Sequence, residues 1–141
     1  MLRVGDVVKI SKPYSAIGDD EKLRWFVFLG RLDFSQNPRN AYFCTTTTQI
    51  KKYKRIKASS CVEFKANPDS CFSEDCLLCL DEIESSFTEE DFVAKFNPEF
   101  KGRISDEKLK EIVQKVQEAD LPKIVKDDIL FSFRVDEIPT K

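Results

Sequence analysis

Arg24-Trp25-Phe26-Val27-Phe28-Leu29-Gly30 is the stretch on which the fold turns. Five apolar residues in a row, aromatic and branched, run from a cation to a glycine over a length too short for a helix. That pattern predicts a strand central to its sheet. On its N-terminal side, Gly5-Asp6-Val7-Val8-Lys9-Ile10 alternates and stops at Lys12-Pro13, which reads as a first strand. Between the two, Tyr14 to Lys22 holds Ser15, Gly18 and the acidic run Asp19-Asp20-Glu21 and reads as a loop. On the C-terminal side, Asp33 to Asn40 is a turn region and Ala41 to Thr48 a third strand. Arg55 to Phe64 alternates weakly as a fourth, and Cys76 to Ile83 gives a fifth. Short strands at close spacing point to a small barrel or sandwich.

The period then changes. Thr88-Glu89-Glu90-Asp91 has the spacing of a capping box before Phe92, Val93 and Phe96, and Asn97-Pro98 ends that helix. Gly102 to Glu107 caps a second helix carrying Leu109, Ile112, Val113 and Val116 on one stripe. Pro122 closes it, and Ile129-Leu130-Phe131-Ser132-Phe133 predicts a last strand. The expectation is one α+β domain over residues 1–141, with a β region at about 4–84, a helical region at about 88–126 and a short strand at about 128–135.

Composition narrows the chemistry. The chain is 41% apolar and 34% charged, and its twelve phenylalanines against one Trp and one Met imply a core of Phe, Ile, Val and Leu. No stretch approaches a membrane span and Met1-Leu2-Arg3-Val4 lacks a signal-peptide profile, so a cytoplasmic location is expected. Residues 1–60 carry 12 Lys and Arg against 5 Asp and Glu, whereas the rest carries 11 against 20. Such polarity suits one face meeting a polyanion. The absence of histidine removes the commonest general base and every His-containing dyad or metal site. Four glycines leave no phosphate loop or dinucleotide fingerprint, so no cofactor is expected. Cys76 and Cys79 have half the spacing of a zinc site. They fall on a strand, where positions three apart point to opposite faces, so buried thiols are expected and no metal.

The candidate working site lies in Tyr42 to Lys57, where an apolar run ends in Thr45 to Thr48 and passes into Lys51, Lys52, Lys54, Arg55 and Lys57, interleaved with Tyr53. Hydroxyls, cations and a stacking aromatic together fit a nucleic-acid groove. The plainer alternatives are β-branched filler and an edge strand guarded by lysines. Arg24 opens the second strand after the acidic loop. Its fork suits charge developing on a phosphate, or merely pairs with Asp19, Asp20 or Glu21.

The order of these elements resembles the MazF/PemK family of toxin endoribonucleases from bacterial toxin–antitoxin systems. Gly5-Asp6-Val7-Val8 is similar to that family's opening Gly-Asp-Ile/Val strand, and Arg24 to Gly30 to its Arg-Pro-x-Val-Val-Leu-Ser strand. Thr47-Thr48-Gln49-Ile50-Lys51-Lys52-Tyr53 resembles its Thr-Thr-Gln segment. Leu80-Asp81-Glu82-Ile83 and Lys101 to Leu109 resemble its Asp-Gln-Ile strand and Gly-x-Leu-Ser-x-Glu-x-Leu helix start. The likeness spans about residues 4–119. Trp25 stands where the family has proline and Gly30 where it has serine, and the loop lacks the Gly-x-Glu-Gln-x-Gly pattern.

The resemblance implies a small SH3-like barrel of five to seven mostly antiparallel strands with C-terminal helices, usually a homodimer held in check by a cognate antitoxin. It implies cleavage of single-stranded RNA without metal, the 2′-hydroxyl attacking its own phosphate. Arg24 would stabilise the phosphate charge or protonate the leaving oxygen, Thr47 would hydrogen-bond the phosphate and a loop acid, Asp19 with Asp20 and Glu21 as alternates, would help take the 2′-proton. Thr48, Lys51, Lys52, Tyr53, Lys54 and Arg55 would hold the RNA. Two rival readings are a non-cutting SH3-like module that binds nucleic acid or protein, and a CcdB-like toxin acting on a protein target.

Overall fold

The computed structural model describes residues 2–11, 24–31, 40–48, 50–51, 60–66 and 71–136, apart from the side chains of Asp81 and Glu82. The expected loop around Asp19, most of the turn before Asn40, and Lys52 to Arg55 with Lys57 lie outside those residues. Strands β1 (Asp6–Lys9), β2 (Trp25–Arg31), β3 (Ala41–Thr47), β4 (Cys61–Phe64), β5 (Cys76–Glu84) and β6 (Glu99–Arg103) form one sheet ordered β4-β5-β3-β2-β1-β6. Every neighbouring pair is antiparallel. Helix α1 (Glu89–Phe96) lies between β5 and β6 in sequence, followed by α2 (Asp106–Glu118) and α3 (Lys123–Val135). The chain is thus an α+β protein. None of these helices is long and apolar enough to cross a membrane.

The central strands are where the apolar run predicted them. Phe26 to Leu29 are fully buried, and β3 beside them buries Ala41 to Thr45. Register shifts between Val7 and Val8, Phe28 and Gly30, and Cys44 and Thr46 bend three of the ladders. Bent as it is, the sheet is not closed into a barrel among the described residues: β4 and β6 are its edges, and the four residues of β4 pair there only with β5.

Phenylalanine fills the core, as composition implies. Phe43 of β3 stacks on Phe92 of α1 with ring centroids 3.9 Å apart, and Phe26 meets the same ring edge-on at 5.3 Å. Phe92 and Phe96, one turn apart, lie 5.1 Å from each other and bury the apolar face of α1. The helix begins where Thr88 Oγ1 accepts the Asp91 amide at 3.0 Å, and it ends at Asn97 in the left-handed conformation. Ser105 caps α2 in the same way through the Lys108 amide. The four residues of its predicted stripe, Leu109, Ile112, Val113 and Val116, are all buried.

Two expectations fail. The segment at 128–135 predicted as a strand is the body of α3, and Pro122 stands at the start of this helix rather than merely closing the one before. Ile129, Ser132 and Phe133 fall three and four residues apart on one buried face, so helical spacing hides inside an apolar run. The helix seats on β2 and β3 at a place prepared for it. Gly30, at φ +137°, leaves room for Ser132, whose hydroxyl donates to Asp128 O at 2.9 Å and accepts the Arg31 amide at 3.1 Å. Tyr42 Oη donates to Asp128 Oδ2 at 2.8 Å beside it. The other failure is β6, which interrupts the predicted helical region. Nothing in its sequence alternates and Phe100 is 61% exposed, yet β1 binds it from Asp6 opposite Arg103 to Lys9 opposite Glu99.

Candidate functional site

Arg24 is held to the sheet one residue before β2 begins, its carbonyl accepting the Ile10 amide at 3.0 Å. In the β2–β3 ladder, Phe26 opposes Thr45 and Val27 opposes Cys44. Continued outward, that antiparallel register sets Trp25 against Thr46 and Arg24 against Thr47. Residues directly opposed across two strands project from the same face with Cβ atoms about 4.5–5.5 Å apart. Arg24, one residue before β2, and Thr47, the last residue of β3, thus lie at the same end of the sheet. On its far side Thr47 is opposed by Leu77 of β5.

The four threonines emerge stepwise from the protein. Thr45 is buried, Thr46 and Thr47 are half-buried, and Thr48 is exposed where the strand ends. Ile50 then packs on a small apolar cluster of Cys61, Leu77 and Cys79, which fixes the start of the cationic segment, and Lys51 beside it is exposed. Of the predicted site, Arg24, Thr47, Thr48 and Lys51 thus gather at the same sheet end. Asp19, Lys52, Tyr53, Lys54 and Arg55 lie outside the described residues.

Alternation places Trp25 and Thr46 on the other face. There they line a groove with Thr48, Phe72, Ser73, Glu74 and Cys76. Its volume is about 30 Å³. Trp25 rests 5.8 Å from the Phe72 ring, and Lys101 Nζ lies 5.7 Å from the indole. Sequence alone gave no sign of this groove. Phe72, Ser73 and Glu74 come from the segment before β5, and nothing local connects them to β2.

Thiol chemistry is disfavoured at Cys71 and Cys76. Burial pushes the Cys76 thiol up to about 12, and burial likewise lifts Cys71 to about 11, so both stay protonated at neutral pH. Cys76 and Cys79 are buried on β5 and belong to different apolar clusters, as their spacing on a strand requires. Among the described residues no three Cys, Asp or Glu side chains gather as they would around a metal ion. A guanidinium fork and hydroxyls at one sheet end are groups of the kind that bind an anion.

No family model matches the chain, and none of the curated proteins matches it.

Proposed function

We propose that the chain is an endoribonuclease of the MazF/PemK type, cutting single-stranded RNA without metal at the Arg24–Thr47 end of its sheet. The observation that supports this reading is the β2–β3 register, Phe26 opposite Thr45 and Val27 opposite Cys44, which continued outward carries Arg24 toward Thr47. In the proposed reaction the 2′-oxygen of a ribose attacks the adjacent phosphorus and the bond to the 5′-oxygen breaks. The products are a cyclic phosphate and a 5′-hydroxyl, with the 2′-proton leaving to a base and another proton reaching the 5′-oxygen. Arg24 faces the charge that builds on the phosphoryl oxygens and Thr47 donates to one of them. Asp19 is the base that the resemblance assigns. Thr48 and Lys51, and beyond them Lys52, Tyr53, Lys54 and Arg55, hold the strand by charge and stacking. The same resemblance carries an SH3-like barrel, a homodimer, an antitoxin partner and a cytoplasmic site of action.

The test is incubation of the folded chain with mixed-sequence single-stranded RNA in EDTA, with product ends identified by mass. Cyclic-phosphate ends are expected, and Arg24→Ala or Thr47→Val should slow their appearance on the order of 10²–10³-fold, as loss of one oxyanion donor does elsewhere. Intact RNA with the folded wild-type chain, or undiminished cutting by both variants, overturns the reading.

A further inference from the structure

Two of the five thiols meet at one spot of the sheet. Cys61 of β4 and Cys79 of β5 are direct partners in the ladder, and their sulfurs lie 3.4 Å apart. Cys44 of β3 donates from its Sγ to the Cys79 backbone carbonyl at 2.9 Å but packs in the main core, apart from the small cluster of Cys61 and Cys79. We propose that Cys61 and Cys79 are a redox-modification site, a dithiol that closes to a disulfide when the chain meets a small-molecule disulfide and reopens under reducing thiols.

The geometry suits closure. Opposed residues of an antiparallel ladder have Cα atoms about 4.5–5.5 Å apart, inside the range that a disulfide spans. The sulfurs need to approach by little more than 1 Å to reach about 2.05 Å. Access comes from the edge. Among the described residues β4 is a four-residue strand held by a single ladder, and Cys61 retains 7% exposure where Cys79 has 1%. Edge strands of this kind open locally at low cost, so Cys61 is the sulfur that meets the reagent.

With glutathione disulfide as oxidant the step balances. The Cys61 thiolate attacks one sulfur, the reagent's S–S bond breaks and one glutathione thiolate leaves. Cys79 then gives up its proton and displaces the second glutathione from the mixed disulfide. Two protein thiols are oxidised and one small disulfide is reduced to two thiols. The new bond joins the two strands beneath Ile50, the residue that anchors the cationic segment. Closure of this pair does not depend on whether the chain cuts RNA.

The folded, reduced chain is treated with glutathione disulfide and read by intact mass, thiol count and peptide mapping. A loss of 2 mass units, two of five thiols gone, a Cys61–Cys79-linked peptide pair and reversal by dithiothreitol are expected. Cys61→Ser and Cys79→Ser should each abolish the linked pair, and Cys71→Ser should leave it intact. If all five thiols persist in the folded chain, or if the linked peptides carry another pair such as Cys44 and Cys79, the assignment is overturned. Should either serine at the pair prevent folding, the linked peptides of the Cys71→Ser variant decide between the same two outcomes.

Discussion

Substituting Gly30 by alanine tests how α3 is seated. Gly30 lies where β2 slips against β3, at φ +137°, a backbone conformation that disfavours any side chain. A methyl group there would stand 2.4 Å from both Cβ and Oγ of Ser132. Ser132 is 1% exposed and its hydroxyl is engaged with Asp128 O and the Arg31 amide, so it has nowhere to turn. Strain at such a φ costs about 1–3 kcal/mol. Forcing a methyl into packed atoms adds about 1–3 kcal/mol. Gly30→Ala should therefore destabilise by about 2–6 kcal/mol, a large part of the 5–15 kcal/mol typical of a domain. Urea unfolding followed by circular dichroism reads the change as a shifted midpoint. Ser132→Gly made on top of it removes the overlapping atoms but leaves φ unchanged, so the pair should deviate from additivity by about 1–3 kcal/mol in the stabilising direction. A single variant within about 0.5 kcal/mol of wild type, or a strictly additive pair, refutes the close approach of helix and strand.

Phe92→Ala empties the centre of the aromatic cluster, where the ring is fully buried and stacked on Phe43, and should cost about 3–5 kcal/mol in the same assay. Tyr42→Phe leaves a half-buried Asp128 oxygen without its donor and should cost about 1–3 kcal/mol, with Asp128→Asn largely masking the effect. Burial holds the Asp6 carboxyl above the ordinary carboxylate range despite the Arg3 amide and the Arg103 charge beside it. The folded chain therefore grips that proton more tightly, and this contribution to stability is full below about pH 4 and lost as pH rises through the folded value. Urea midpoints of Asp6→Asn should accordingly improve relative to wild type from about pH 4 to 7, and parallel curves would refute the shift. At the proposed RNA site, Arg24→Lys keeps the charge without the fork and should restore less than a tenth of cleavage, whereas Lys51→Gln should chiefly weaken binding at low salt.

What could be read from the sequence depended on whether a segment's neighbours were local. The run from Trp25 to Leu29 is buried in its own strand, and its composition says so. Thr88 and Ser105 cap helices through amides three residues away, which is a purely local pattern. β6 is different: it is a strand because β1 offers it a free edge, and Phe100 points out of the core. The helix at Ile129–Phe133 was hidden because consecutive apolar residues satisfy a short strand and one face of a helix equally well. The site divides along the same line. Arg24 and Thr47 could be named from residue type and from the family resemblance, but the sheet end at which each stands is set by strand pairing that no local pattern announces. The groove beside Trp25 has partners from a segment some fifty residues on and left no trace in the chain's local pattern.

Tyr42 meets Asp128 across 86 positions, and Arg31 meets Ser132 across 101. At 5–20 residues per second, the ribosome needs about 4–17 s to bring the acid out after the phenol. During that interval the sheet face around Gly30 and Tyr42 is exposed, dressed in apolar residues and not yet roofed. That face is covered only once α3 has been made.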